Sequence, residues 1–234
     1  MRGWPWLLAG ALYAATPVVA QTGGHVDVTP GPVAPLSAYF QPADAGVAKP
    51  DPDGFLRRWL LLEPIDKPNR TNTVFTASYV RQALSPATYP GAFDAAPRDG
   101  QIVKAAQPLR WHALDSRSFD VKLFNLAQAL GKPTYGVIFW AYTVVDAPRE
   151  MRDVRMAVGS NSASIWWVNG REAVGMFNDR RMVADDVVSD RITLKKGRNV
   201  IRGAVINGPG LSAFCVRFLD ADGRPITDLS TTLR

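Results

Sequence analysis

Cysteine and histidine are scarce in this chain, which has one cysteine and two histidines among its 234 residues. A single cysteine excludes an intramolecular disulfide, and the apolar neighbours of Cys215 predict that it is a small buried hydrophobic residue. A zinc site needs several histidine or cysteine ligands, so that class of site is excluded as well. Calcium prefers oxygen ligands and stays open as a cofactor, either at Asp185-Asp186 or in the turn-like run Asp220–Gly223. No other cofactor is expected.

The chain also lacks the G-x-S-x-G motif that places a nucleophilic serine at a strand-to-helix turn in α/β-hydrolases. The nearest sequence, GSNSA at 159–163, precedes a predicted β-strand instead. A Ser-His-Asp triad would have to use His112, because His25 falls close to the expected mature N-terminus. A packing or surface role is the default for one histidine, so no catalytic residue is assigned.

Long runs of like charge are missing too. Lysine and arginine number 27 and aspartate and glutamate 21, which gives a formal net charge of +6. The basic residues are dispersed and at most paired, as at Arg57-Arg58 and Lys195-Lys196, which argues against a nucleic-acid-binding patch. A mild positive field would suit acidic polysaccharides or the anionic cell envelope, or it would serve solubility alone.

One apolar run stands out, Leu7–Val19, but Pro17 interrupts it and it is too short for a good membrane span. With Arg2 before it and small or β-branched residues at its end, it predicts a signal peptide over residues 1–20, cleaved after Ala20. An uncleaved N-terminal anchor is the alternative. No other segment approaches membrane-spanning length. The protein is therefore expected to be secreted or periplasmic, with no membrane span after cleavage.

Proline, glycine and alanine dominate residues 21–54, which are interpreted as a linker or as a tail draped over the domain. The folded domain is expected to span residues 55–234. Its one convincing helix is Thr73–Leu84, where apolar residues recur three and four apart and Asn72 can cap the first turn. One further helical turn is indicated at Phe124–Leu130.

Short runs rich in β-branched and aromatic residues alternate with polar turns over the rest of the domain. The predicted strands are Arg58–Leu62, Gln101–Ala105, Leu109–Leu114, Phe119–Leu123, Val137–Val145, Val154–Gly159, Ser164–Val168, Glu172–Met176, Val187–Leu194, Asn199–Ile206 and Ser212–Leu219. So many short strands predict an all-β fold, an antiparallel β-sandwich of jelly-roll type with one short helix and a proline-rich N-terminal extension.

Two turns organise the last third of the chain. One strand ends on Asn169-Gly170, a pair that is the strongest short-range signal of a hairpin. The sequence LKKGRN at 194–199 is interpreted as a second hairpin turn, which would pair the strands Val187–Leu194 and Asn199–Ile206 with each other.

Tryptophan supplies the leading candidate for ligand binding. Strand alternation places Trp166 and Trp167 on opposite faces of the sheet, so both belong to a core only if the sheet is covered on both sides. An outward-facing Trp167 would be a stacking platform for a sugar ring. The alternative is that the proline-rich segment or the loop Ser85–Asp99 covers Trp167. Four further residues are weaker candidates for the same binding site: Asn169, Arg171, Trp140 and Tyr142.

The stretch Val154–Leu219 resembles the C-terminal half of galactose-binding-like jelly-roll domains from secreted bacterial polysaccharide-degradation proteins. Three features carry the resemblance: SNSA at 160–163 in place of the family's Ser-Asp-Asp-Gly, WVNG at 167–170, and the LKKGRN turn. The closing strand CVRFLDADG at 215–223 fits as well, and RWLLLEPI at 58–65 and FWAYTVV at 139–145 resemble the opening and central strands. The resemblance implies the fold rather than a ligand. A metal bound by the family's aspartates would be lost here.

Three functions are compatible with these features. The first is a secreted carbohydrate-binding or accessory module in plant-polysaccharide degradation, which binds a polysaccharide or oligosaccharide and has no catalytic site of its own. The second is a carbohydrate esterase similar to acetylxylan esterases, a label that relatives sometimes carry, with a serine and His112 as its catalytic pair. The third is a structural or protein-binding β-sandwich whose apolar face docks on a partner enzyme. No nucleic-acid partner is expected.

Overall fold

Antiparallel β-strands dominate residues 32–69 and 71–233, the part of the chain that this computed structural model describes. The predicted signal peptide lies outside the described residues. The strands are β1 (Phe40–Pro42), β2 (Arg58–Leu62), β3 (Ile65–Asp66), β4 (Ile102–Val103), β5 (Leu109–Ser116), β6 (Val137–Ala147), β7 (Met151–Ser160), β8 (Ala163–Val168), β9 (Arg171–Met176), β10 (Val187–Val188), β11 (Ile192–Leu194), β12 (Gly197–Asn207), β13 (Phe214–Leu219) and β14 (Ser230–Thr232). The described helices are α1 (Ala77–Ala83) and α2 (Leu123–Ala129), with short 3-10 turns at Leu36–Ala38, Asn72–Val74 and Pro86–Thr88. None of these helices is long and apolar enough to cross a membrane.

Two sheets form the sandwich. The larger has the strand order β1-β5-β2-β6-β12-β8-β9, with β3 and β14 also pairing with β6 and β4 with β5. The smaller is built on β7, which pairs with β10, β11 and β13. Val158 of β7 pairs with both Val187 and Val216, so β10 and β13 lie on opposite edges of that strand. Every pairing between these strands is antiparallel, which confirms the predicted antiparallel β-sandwich.

The main core fills the space between the two sheets and centres on three aromatic rings. Trp59 from β2 and Trp166 from β8 both pack on Phe214 from β13, with ring centroids 5.1 and 4.8 Å away. Trp166 also covers Gly203, its cross-strand partner on β12. A Cβ atom at Gly203 would lie 2.2 Å from Cζ3 of the Trp166 ring, so only glycine lets the indole lie flat on β12.

A second core covers the opposite, outer face of the large sheet. Here α1 and the loop Ser85–Asp99 pack over side chains from β2, β5, β6, β8 and β12. The sheet is thus covered on both faces, so Trp166 and Trp167 are both core residues despite strand alternation. The outer face holds a run of buried aromatic side chains: Trp111, Trp140, Tyr142 and Trp167.

The described part of the proline-rich segment lies against the large sheet. Strand β1 pairs with β5, and Phe40 is buried in the main core. Ala48 exchanges backbone hydrogen bonds with Thr231 of β14. The helix predicted over Thr73–Leu84 is found in two parts, because Thr76 rather than Asn72 caps α1, its hydroxyl accepting from the Tyr79 amide.

One of the two predicted hairpins is confirmed. Asn169 and Gly170 have φ angles of 51° and 80°, as a two-residue turn of this type requires, and they join β8 to β9. The second prediction is wrong, because β11 pairs with β7 while β12 pairs with β6 and β8. The turn at 194–199 carries the chain from one sheet to the other, and the Asn199 side chain holds it through the Lys195 amide and carbonyl.

Two further strand predictions need correction. The strand expected at Phe119–Leu123 is reduced to one bridge between Val121 and Phe214, because the chain enters α2 at Leu123. The strand expected at Val187–Leu194 is split into β10 and β11 around Ser189, whose amide donates to the Met156 carbonyl.

Candidate functional site

Trp167, predicted as an exposed stacking platform, is buried with 4 % of its surface exposed. Its ring stacks on Trp140 at a centroid distance of 5.8 Å, and the edge of Phe93 from the loop Ser85–Asp99 covers it at 5.5 Å. The predicted exposure of Trp167 is therefore wrong. The loop Ser85–Asp99 covers its ring, which was the alternative interpretation of the sequence. The indole of Trp167 packs against that loop through Phe93.

Trp140 and Tyr142 lie beside Trp167 in the same buried layer, 1 % and 0 % exposed. Burial raises the pKa of Tyr142, whose hydroxyl accepts a hydrogen bond from Arg198 at 2.9 Å. Trp140 also borders a cleft of about 410 Å³, where Tyr79 and Gln82 provide polar groups. The structure thus brings Trp140, Tyr142 and Trp167 together, but as a covered cluster.

Asn169 and Arg171 lie apart from that cluster. The Asn169 amide side chain is occupied by the turn: it donates to Asn199 and accepts from the Val200 amide, both at 2.9 Å. Arg171 is exposed and, with Asn169, Arg191 and Lys195, lines a separate cleft of about 510 Å³. The binding roles predicted for Asn169 and Arg171 stay predictions.

Arg202 lies buried beneath the loop and ties it to the sheet. Its guanidinium stacks between Phe93 and Tyr142, with its central carbon 4.9 and 5.2 Å from the ring centroids. It also donates to the Ala95 carbonyl at 3.2 Å. This contact fixes the position of the second half of the loop, which forms a wall of the cleft described next.

That cleft, here called the Leu60 cleft, has a volume of about 920 Å³ and lies on the outer face of the large sheet. Its floor is the cross-strand pair Leu60 and Ala113 of β2 and β5. Its walls come from three chain segments: residues 43–46, residues 95–99 and the C-terminal residues Thr232 and Leu233. Small side chains at Ala43, Ala45, Ala95 and Ala96 leave the space open.

Arg58, buried with 5 % exposure, positions the wall at residues 43–46. Its Nε and Nη2 atoms hold the Asp115 carboxylate at 2.8 and 2.7 Å, and Nη1 donates to the Gly46 carbonyl at 2.7 Å. Asp44 lies 2.9 Å from the same guanidinium. The Gly46 amide and Arg58 together hold the pKa of the Asp44 carboxyl below its usual value, so Asp44 presents a negative charge at the rim.

The opposite wall is held by Asp99. Its Oδ1 atom accepts from the Ala113 amide at 2.8 Å, which fastens the end of the loop to β5. The neighbouring Arg98 guanidinium is exposed and forms no ion pair among the described residues. Carboxylates on both walls and one available guanidinium therefore face a floor of aliphatic side chains.

His112, the residue weighed for catalysis, lies outside this cleft and is held by one charged neighbour, Glu63. Its Nε2 atom lies 3.1 Å from Oε1 of Glu63, and the other carboxylate oxygen accepts from Lys132 at 2.9 Å. Burial would raise the pKa of the Glu63 carboxyl, but the hydrogen bonds from Lys132 and His112 outweigh it and lower that pKa. No serine of the described chain hydrogen-bonds to His112, so the predicted serine–histidine pair is not formed there.

Three of the four aspartates considered for calcium pair with arginines. Asp185 pairs with Arg217, Asp186 with Arg180 and Asp222 with Arg224, while Asp220 accepts from backbone amides in its turn. Within residues 32–69 and 71–233, no three acidic, histidine or cysteine side chains come together as metal ligands would. Cys215 is 1 % exposed, as predicted, and burial raises the pKa of its thiol to about 12.

Similarity to known proteins is confined to three-dimensional structure: no protein-family model and no curated sequence matches the chain. The PA14 sugar-binding domain from an RTX adhesin gives a TM-score of 0.47 at 10 % identity, covering 76 % of this chain and 100 % of that domain. The PA14 domain of the antifreeze protein MpAFP gives 0.41 at 12 % identity, with 83 % and 96 % covered. A β-glucosidase from Kluyveromyces marxianus in complex with glucose gives 0.38 at 12 % identity, covering 70 % of this chain and 17 % of the enzyme. At such identities the likeness concerns the fold.

Proposed function

We propose that this protein is a carbohydrate-binding module whose ligand site is the Leu60 cleft. One observation carries the proposal: an open cleft of about 920 Å³ combines an aliphatic floor with charged groups at its rim. Ligand sites in proteins typically measure about 300–1,000 Å³ and combine apolar walls with a few polar groups that fix orientation. The cleft matches that description in size and in composition.

The chemistry of the lining supports a sugar. The C–H faces of a pyranose ring can pack against Ala113, Leu233 and the wall alanines, which gives apolar burial without a large aromatic platform. Sugar hydroxyls both donate and accept hydrogen bonds. The free carboxylate oxygen of Asp99 can accept them, and the Arg98 guanidinium can donate them, as charge-assisted bonds.

The proposed biological setting is that of an exported accessory module. The predicted signal peptide and the absence of long basic runs favour a protein that meets polysaccharide outside the cytoplasm. We propose that it binds a plant polysaccharide or oligosaccharide and holds a partner enzyme near its substrate. Because Trp167 and its aromatic neighbours are covered, we propose that the sugar binds in the Leu60 cleft and not on Trp167.

A binding screen of the purified protein against soluble and insoluble polysaccharides tests the proposal, with acetate release followed in the same wells. The blocking variant is Ala45→Trp, which places an indole in the cleft mouth, and the matched control is Ala105→Trp at an exposed alanine outside the cleft. We expect wild type and Ala105→Trp to be retained equally and Ala45→Trp to lose at least about tenfold in affinity, or about 1.4 kcal/mol. Equal retention of all three proteins, or retention of none, contradicts the proposal, and acetate release would favour the esterase.

A further inference from the structure

A second, smaller pocket opens beside the Leu60 cleft and has a different chemistry. Called here the Lys49 pocket, it has a volume of about 190 Å³ and is lined by Gln41, Ala48, Lys49, Arg57, Arg58, Asp115, Ser116 and Arg117. Four of these eight residues are cationic and one is anionic. Its floor is formed by the ion pair of buried Arg58 with partly buried Asp115.

Three of the cations have no carboxylate partner within residues 32–69 and 71–233. Arg58 is satisfied by Asp115 and Asp44, at 2.7 and 2.9 Å. Lys49, Arg57 and Arg117 are exposed at the rim and form no ion pair with any residue of the described chain. The Nε atom of Arg117 donates a hydrogen bond to the Ser37 carbonyl at 2.8 Å. This bond orients the guanidinium and leaves its two terminal nitrogens available.

Like charges that share so small a pocket repel one another, and an anion that enters relieves the repulsion. Two guanidinium groups suit a planar carboxylate, because each presents paired N–H donors that match its two oxygens. The ammonium of Lys49 adds a third donor. The pocket therefore favours a compact anionic group such as a carboxylate.

The position of the pocket links it to the proposed sugar site. The pair Arg58–Asp115 at its floor follows the pair Leu60–Ala113 at the floor of the Leu60 cleft along the same two strands. Two residues along a β-strand correspond to about 7 Å. All four side chains point to the outer face of the sheet, so the two sites are neighbours on one surface.

We infer that the Lys49 pocket is an anion subsite of the glycan site, which makes acidic polysaccharides, with uronate carboxylates along the chain, the ligand class of this protein. The inference rests on the proposed function. A chain seated in the Leu60 cleft places the carboxylate of an adjacent sugar in the Lys49 pocket. The subsite supplies preference for acidic over neutral chains, and the cleft supplies recognition of the sugar itself.

The test compares the binding of polygalacturonate, its methyl-esterified form and polyglutamate to the purified protein. The esterified chain keeps the sugar backbone without the charge, and polyglutamate keeps the charge without the sugar. We expect polygalacturonate to bind at least about tenfold more tightly than either probe, with the preference weakening as salt is raised. The triple variant Lys49→Gln/Arg57→Gln/Arg117→Gln should lose that preference. The control variant Lys104→Gln/Arg155→Gln/Lys196→Gln, which removes equal charge from exposed positions outside both sites, should keep it.

The outcomes separate the subsite from the proposed function. Equal binding of the charged and esterified chains overturns the anion subsite but leaves sugar binding standing. Binding of polyglutamate as tight as that of polygalacturonate, or an equal loss in the two triple variants, shows a general cation effect and also overturns it. If no polysaccharide of any kind is bound, the proposed function fails and the subsite fails with it.

Discussion

At the scale of the single residue, the burial of Trp167 changes what its removal should do. Its ring fills space between Trp140 and Phe93 in the second core, so truncation leaves a cavity. We expect Trp167→Ala to lower the free energy of unfolding by about 3–5 kcal/mol, measured by denaturant titration. The exposed ring of Tyr135 provides the control, since Tyr135→Ala should cost far less. Unchanged stability together with lost glycan binding would restore Trp167 as an exposed platform.

Gly203 is a residue at which the main core has little tolerance for added volume. A methyl group there would meet the Trp166 ring at 2.2 Å, and the ring is pinned by Phe214 and Trp59. We expect Gly203→Ala to destabilise the protein by about 1–3 kcal/mol or more, measured by thermal and denaturant unfolding. The same change should cost less in a Trp166→Phe background, where the smaller ring leaves room. Additive losses would contradict the contact.

At the scale of the element, the loop Ser85–Asp99 both covers the tryptophans and supplies a wall of the Leu60 cleft. Phe93 is the side chain that joins these roles, because it packs on Trp167 and on the Arg202 guanidinium. We expect Phe93→Ala to increase acrylamide quenching of tryptophan fluorescence and to weaken glycan binding. Asp94→Ala, a change at an exposed neighbour in the same loop, should alter neither. Increased quenching without weaker binding would show that the loop wall is not part of the site.

Strands and their faces could be predicted from sequence better than their partners. The sequence pattern predicted β5, β6, β8 and β9 because alternation and turn residues are local signals. The turn at 194–199 has hairpin-like chemistry, yet it connects strands of different sheets, because turn residues set a reversal of direction and not a pairing. Trp167 is covered by a loop that is distant in sequence, and local periodicity does not indicate such long-range packing.

At the scale of the whole molecule, the response to acid should report the interactions of Glu63 with His112 and Lys132. Because the pKa of folded Glu63 is lowered from its ordinary 4.5, its charge stabilises the fold above that value. That contribution is lost as the pH falls through the lowered pKa. Wild-type stability should therefore decline as the pH falls below 4.5, and Glu63→Gln should be less stable at neutral pH with a shallower decline.

The control for that measurement is Glu150→Gln, which removes a carboxylate from an exposed ion pair with Arg152. Such pairs contribute little to stability, so this variant should follow the wild-type pH curve closely. An unchanged slope in Glu63→Gln, measured by denaturant titration at each pH, would contradict the role assigned to the Lys132 and His112 hydrogen bonds.

The candidate site could not be predicted from the sequence because its lining carries little local signal. The alanines at positions 43, 45, 95, 96 and 113 contribute to the cleft only by leaving room in it. They belong to segments that are held together by hydrogen bonds of Arg58, Asp99 and Arg202. The aromatic residues of β6 and β8 predicted a ligand site there, but their side chains fill the second core instead. Composition did indicate the positive charge that the Lys49 pocket concentrates.

The most direct measurement of the central claim is amide hydrogen exchange of the purified protein with and without a polysaccharide identified by the screen. We predict that bound glycan slows exchange in residues 43–46 and 95–99, the two walls of the Leu60 cleft. Protection confined to other surfaces, such as the separate cleft lined by Asn169, Arg171, Arg191 and Lys195, would contradict the assignment of the site.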